Sequence, residues 1–131
     1  MKDTAIAILA NVRLPSEAEL QAKLLLEAPK HLSNVRLFRR NIGAVQTGER
    51  WTRFGIPGMA DVQVVLKGGR IIECEIKALG GSLRPEQKAW QTFCENWEIP
   101  WLLLKPLKNE DAETTVTRWI GEIAALCGSS G

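Results

Sequence analysis

The chain has 131 residues, 45% of them hydrophobic, and 17 Lys and Arg against 15 Asp and Glu give a net charge of +2. That length and apolar content exclude a disordered chain and fit one domain with a real core. The charge is too small to name a nucleic-acid partner by itself, so local clustering has to be examined.

Cys74, Cys94 and Cys127 are far apart, odd in number and lack a C-x-x-C spacing. They read as reduced, mostly buried thiols, which places the expected location in the cytoplasm. The apolar start Ala5–Ala10 is far short of the roughly 20 residues of a membrane span. One Lys2 beside Asp3 makes it a poor signal peptide, so it reads as an edge strand or a dimer contact.

Pro15-Ser16 opens a helix, with Ser16 and Glu19 in a capping-box spacing and Leu20, Leu24 and Leu25 on one side. It is expected to end before Pro29. Val35–Asn41 alternates as a strand. Gly43–Gly55 is polar and broken by glycine, so it reads as a loop. Val62–Leu66 and Ile71–Lys77 flank a Gly-Gly turn, the signal of a hairpin. A helix begins near Ser82 with Pro85 in its first turn. Its apolar stripe takes in Leu83, Trp90, Cys94 and Trp97, with Phe93 beside it and Gln87 on the same line. Pro100–Lys105 reads as a strand buried on both faces. Asn109 can cap a last helix, whose stripe runs from Val116 through Trp119, Ile120 and Ile123 to Cys127. Ser129–Gly131 reads as a frayed tail. Trp90, Trp97, Trp101 and Trp119 are all expected in the core. The order is helix, three strands, helix, strand, helix, an α/β arrangement with a mixed sheet flanked by helices. The whole chain, 1–131, reads as a single domain with its core over about 16–105 and a C-terminal helix over about 109–127.

Glu73, Glu75 and Lys77 alternate along one strand and so share a face, opposite Ile72, Cys74 and Ile76. Asp61 precedes the neighbouring strand. Two carboxylates on adjacent strands can share a hard cation such as Mg²⁺, which prefers oxygen ligands. A lysine two residues on can hold a water or stabilise developing phosphate charge. His31 is alone, so no zinc-type ligand set competes, and it reads as a surface residue.

Asp61 with Glu75-Ile76-Lys77 resembles the PD-(D/E)xK nuclease superfamily. More narrowly, the chain resembles the VRR-NUC (virus-type replication-repair nuclease) family over about residues 16–105. Glu17-Ala18-Glu19-Leu20-Gln21 is similar to its acidic first helix, and Arg39-Arg40-Asn41-Ile42-Gly43 to its R-x-N-x-G segment. Gly55–Asp61 resembles its glycine-rich approach to a Pro-Asp dipeptide, and Gly80–Gln87 its G-x-L-S/R-P-E-Q helix start. Ala60 stands where the family has proline, which ligates nothing, so slightly less rigidity is expected. The resemblance implies an αβββαβ core with an extra C-terminal helix. It implies a catalytic set of Asp61, Glu75, Lys77, Gln87 and Glu17. Of these, Glu17, Asp61 and Glu75, with the Ile76 carbonyl, would hold one or two Mg²⁺ or Mn²⁺ ions. Glu17 is preferred to Glu19 because it shares a helix face with Gln21, whereas Glu19 has a capping task. Gln87 sits on a buried stripe and needs a polar partner, either the site or a backbone group. Glu73 is not part of the implied set, and a surface role or contact with a basic residue is expected.

Arg36, Arg39, Arg40, Arg50, Trp51 and Arg53 cluster just before this site. Arginines with an aromatic suit phosphate tracking and base stacking, and as a group they are expected to contact DNA. The resemblance implies a homodimeric endonuclease for branched DNA such as Holliday junctions, acting in replication, repair or recombination, in the host cytoplasm if phage-encoded. A catalytically silent DNA-binding module, and a flap- or RNA-directed nuclease on the same core, are the competing expectations. A nucleotide-cradling enzyme is disfavoured, since no G-x-G-x-x-G or Walker loop is present.

Overall fold

A computed structural model describes residues 13–128, apart from the side chains of residues 43, 53 and 54. The readings of Ala5–Ala10 and of the tail, and the side chain of Arg53, lie outside the described residues. Among them, three helices surround a mixed four-stranded sheet. Helix α1 (Glu17–His31) starts on the expected capping box. The Glu19 N–H donates to Ser16 Oγ at 3.2 Å, and the Ser16 N–H donates to Glu19 Oε1 at 3.4 Å. It buries Leu20, Leu24 and Ala28. It runs through Pro29 rather than stopping before it. A proline in the last turn removes one donor but keeps a helical φ, and the Leu32 N–H closes the end on the Ala28 carbonyl at 2.9 Å.

Strand β1 (Val35–Arg39) pairs antiparallel with β4 (Val62–Leu66), which pairs antiparallel with β5 (Ile71–Ile76). The Gly68-Gly69 turn joins β4 to β5 with φ near +100°, a conformation that favours glycine. After α2 (Pro85–Asn96), β6 (Trp101–Leu104) lies parallel to β5. The last helix, α3 (Ala112–Cys127), is capped by Asp111 rather than Asn109. The Asp111 carboxylate accepts the Thr114 N–H at 2.7 Å.

The segment read as a loop is instead a hairpin of β2 (Gly43–Thr47) and β3 (Arg50–Phe54), separate from the main sheet. Gly48, at φ +66°, supplies the left-handed residue of its two-residue turn. Few of its residues are apolar, because the described ones are exposed, so it carries no buried alternation for the sequence to show. With this hairpin set aside, the element order is the one read from the sequence.

Alternation divides the sheet. Val35, Val62, Val64, Leu66, Ile72, Cys74, Ile76 and Leu104 form the core with α1 and with Val116, Trp119, Ile120 and Ile123 of α3. The opposite face carries Arg36 and Phe38 of β1 and Arg40 just beyond it, with Glu73 and Glu75 of β5, and α2 lies over part of it. This second face is polar, and it corrects two expectations. Of the α2 stripe, Cys94 and Gln87 are buried, Trp90 is half-buried, and Trp97 is 70% exposed. The stripe is wider than the surface it covers. Its aromatic rings continue outward, Trp90 on Phe93 at 5.0 Å and Phe93 on Trp97 at 5.8 Å. Strand β6, last in the sheet order, is fully buried only at Leu104. Trp119 does lie in the core, its indole N–H on the Lys105 carbonyl at 3.2 Å.

Candidate functional site

The topology brings the chemistry to one end of the sheet. Strand β1 runs toward that end and β4 starts there. Antiparallel β5 finishes there, since Val62 faces Cys74 in the register. Asp61 and Glu75 are therefore the next pair along. The loop after Lys77 leads into α2 at the same end, which puts Gln87 in its first turn there. Helix α1 is joined to the far end of β1 by a short turn, so its first residue, Glu17, returns to the site.

Glu75 is only 1% exposed, and its Oε2 is buried without a hydrogen-bond partner. The neighbouring Asp61 carboxyl and the Glu17 charge both act on it. Burial first, then the bond and charge of Asp61, push the Glu75 carboxyl up to about 9, with Lys77 opposing and Glu17 adding to the rise. Lys77 is 5% exposed and its stem packs on Gly81, where an added Cβ would stand 3.4 Å from Lys77 Cβ. Asp61 is itself held: its Oδ2 accepts the Ile76 N–H at 2.9 Å. Ile76, expected to contribute its carbonyl, thus meets Asp61 through its N–H.

Gln87 is buried, and its Oε1 accepts the Arg84 backbone N–H at 2.9 Å. The bond to backbone that the sequence left open is therefore present. It closes the α2 N-terminus and leaves the amide nitrogen as the group Gln87 can offer to the site. Glu17 is exposed at the start of α1, whereas Glu19 pairs with Arg13 at 2.5 Å and caps the helix. Of the two, only Glu17 acts on Glu75.

Gly58 is a residue that the sequence marked only as part of a glycine-rich approach. At φ +90°, a Cβ there would stand 2.1 Å from the Glu86 carbonyl oxygen and 3.1 Å from the Gln87 nitrogen. The segment leading to Asp61 thus packs backbone-to-backbone on the first turn of α2.

The arginines separate. Arg36, Arg39, Arg50 and Trp51 are exposed, Trp51 by 63%. Arg53 lies in β3 with its side chain undescribed. Arg40 does not stand with the exposed group. Its guanidinium grips both carboxylate oxygens of Glu73 and reaches the Ala60 carbonyl at 3.3 Å, so it is not available to phosphates. Glu73 is 1% exposed and also accepts the Trp90 indole N–H at 3.0 Å. Of the two roles foreseen for Glu73, contact with a basic residue is the one observed. The signal was its shared parity with Glu75, on a face where a bare carboxylate could not be buried alone.

Among the described residues, no group of three His, Cys, Asp or Glu side chains converges closely enough to hold a metal ion. The donor set is nevertheless of the kind a hard cation takes. It has two facing carboxyls, one with an orphaned buried oxygen, and a third acid in their field. Among the described residues, no helix is long and apolar enough to cross a membrane. Compared with protein-family models, with curated proteins and with solved structures, the chain has no significant match.

Proposed function

We propose that the protein is a metal-dependent endonuclease that hydrolyses phosphodiester bonds in DNA, of the VRR-NUC type within the PD-(D/E)xK nucleases. The observation that carries this reading is the Asp61–Glu75 pair with its orphaned, buried Glu75 oxygen and Lys77 on the same strand face. Evolution of a stable core alone would not favour an unpaired carboxyl oxygen there, since each such group costs about 1–3 kcal/mol. Asp61, Glu75 and Glu17 would hold Mg²⁺ or Mn²⁺, which when bound supplies an activated water and charge neutralisation at phosphorus. Lys77 adds a buried positive charge beside the reacting phosphate oxygens. The Gln87 amide nitrogen offers a donor for a water or an oxygen of the scissile phosphate. Arg36, Arg39, Arg50 and Trp51 provide the track for the DNA backbone and bases.

The preferred substrate in this reading is branched DNA such as a Holliday junction, cut by a homodimer with two symmetry-related sites. The test is incubation of labelled four-way junction, flap and linear duplex with Mn²⁺, alongside matched RNA and sedimentation of the protein. Cleavage of the junction is expected, abolished by chelation and reduced at least about 100-fold by Lys77→Ala. No cleavage of any substrate, or undiminished cleavage by Lys77→Ala, overturns the mechanism. The lack of a converged three-acid group favours one second reading, a catalytically silent DNA-binding module. It predicts junction binding that is indifferent to Mn²⁺ and never followed by turnover.

A further inference from the structure

Arg40 makes contacts that the proposed chemistry does not use. Its backbone N–H donates to the Asp61 carbonyl at 2.9 Å, and its guanidinium donates to the Ala60 carbonyl at 3.3 Å. The same guanidinium is fastened to Glu73 on both of its nitrogens, one bond measuring 2.8 Å. Glu73 lies on β5, two residues before Glu75, and is braced from α2 by the Trp90 indole. One residue thus ties together the two strands that deliver the two carboxyls, and it grips the backbone carbonyls on either side of the Asp61 Cα. Ala60 is fully buried yet, unlike proline, leaves its φ free.

We infer that Arg40 is a positioning residue for Asp61, held in place by Glu73 and Trp90, and that this tether supplies the rigidity that Ala60 does not. The bidentate fork matters because Arg presents several donors in fixed planar geometry, so that it grips both oxygens of a carboxylate while also reaching a carbonyl, whereas a lysine ammonium lacks the fork. The orientation of Asp61 is read by its bond to the Ile76 N–H, an amide that reports directly on the carboxylate. The neighbouring Lys77 N–H bonds the Leu104 carbonyl at 3.0 Å and reports on strand pairing alone.

The inference rests on the proposed site, but its first test does not depend on nuclease activity. The variants are Arg40→Lys, and Arg40→Met combined with Glu73→Gln. The double variant removes both buried charges together, so it avoids the instability of stranding one of them, and Gln keeps an acceptor for Trp90. Amide hydrogen exchange by NMR in the metal-free protein is expected to show Ile76 exchanging at least about tenfold faster in the folded double variant, with Lys77 within twofold of the parent. Mn²⁺ affinity by titration calorimetry is expected to fall by about tenfold or more, the range typical when a ligand's own support is removed. Arg40→Lys is expected to lie between. A folded double variant with Ile76 exchange and Mn²⁺ affinity both within twofold of the parent overturns the inference. If the parent binds no Mn²⁺, it is the nuclease reading that fails, and the exchange experiment still decides the role of Arg40.

Discussion

At the scale of the residue, Glu75 is where burial and the proposed function pull against each other. A carboxyl pressed against a second carboxyl and away from water is more stable protonated, and its titration rises from the ordinary 4.5 to about 9. When the chain unfolds, the proton leaves at the ordinary value, so folding takes up a proton between those limits. Stability of the metal-free protein therefore falls as pH rises from about 4.5 toward 9 and levels off beyond it. Glu75→Gln is expected to remove this part of the slope, leaving the variant more stable than the parent near pH 8 while losing Mn²⁺ binding. Thermal unfolding across pH checks it. A Glu75→Gln melting curve with the same pH slope as the parent would show that the carboxyl is ionised in the fold. Saturating Mn²⁺ is expected to flatten the parent's slope too, because a bound cation replaces the proton.

At the scale of the element, the site depends on two joints between backbone segments. One is Gly58 against the first turn of α2. Gly58→Ala meets both a left-handed φ of +90° and a Cβ 2.1 Å from a carbonyl oxygen that cannot swing away as a side chain could. Gly68→Ala meets only the unfavourable φ, with nothing within 4 Å. Denaturant unfolding is therefore expected to show about 1–2 kcal/mol lost at Gly68 and clearly more at Gly58. Equal losses would mean that the loop can move off the helix at no penalty. The other joint is the base of the β2–β3 hairpin at Gly55, where an added Cβ would stand 3.1 Å from the Asn41 carbonyl.

At the scale of the whole molecule, a net charge of +2 leaves nucleic-acid affinity to where the charges stand. The exposed Arg36 and Arg39 stand on β1 and the exposed Arg50 on the hairpin, while Arg40 is neutralised internally and Arg118 is occupied by Glu110 and Glu122. Under the proposed function, binding to junction DNA is expected to weaken with salt. Arg50→Ala is expected to lower the salt slope by about one, and Trp51→Ala to cost about 1–3 kcal/mol if it stacks on a base. Fluorescence anisotropy at several salt concentrations measures both. Affinity that ignores both substitutions would remove the hairpin from the DNA path.

Local rules determined much of this protein. Alternation put Glu73, Glu75 and Lys77 on one strand face, the Gly-Gly turn paired β4 with β5, and the capping box started α1, because each of these is settled by neighbours in sequence. That Glu17 and Gln87 belong with them is an expectation carried only by a resemblance, since no local rule relates residues of two helices to a strand. Tertiary structure decided the rest. It made a hairpin of a polar stretch that carries no buried alternation. It left Trp97 in solvent because the sheet face beneath α2 is too polar to receive the full stripe. It also took Arg40 out of the exposed arginines, because a carboxylate buried at Glu73 requires a partner and the register of β1 against β4 and β5 brings that one within reach. Which charges meet is a matter of strand register and face, and those exist only once the chain has folded.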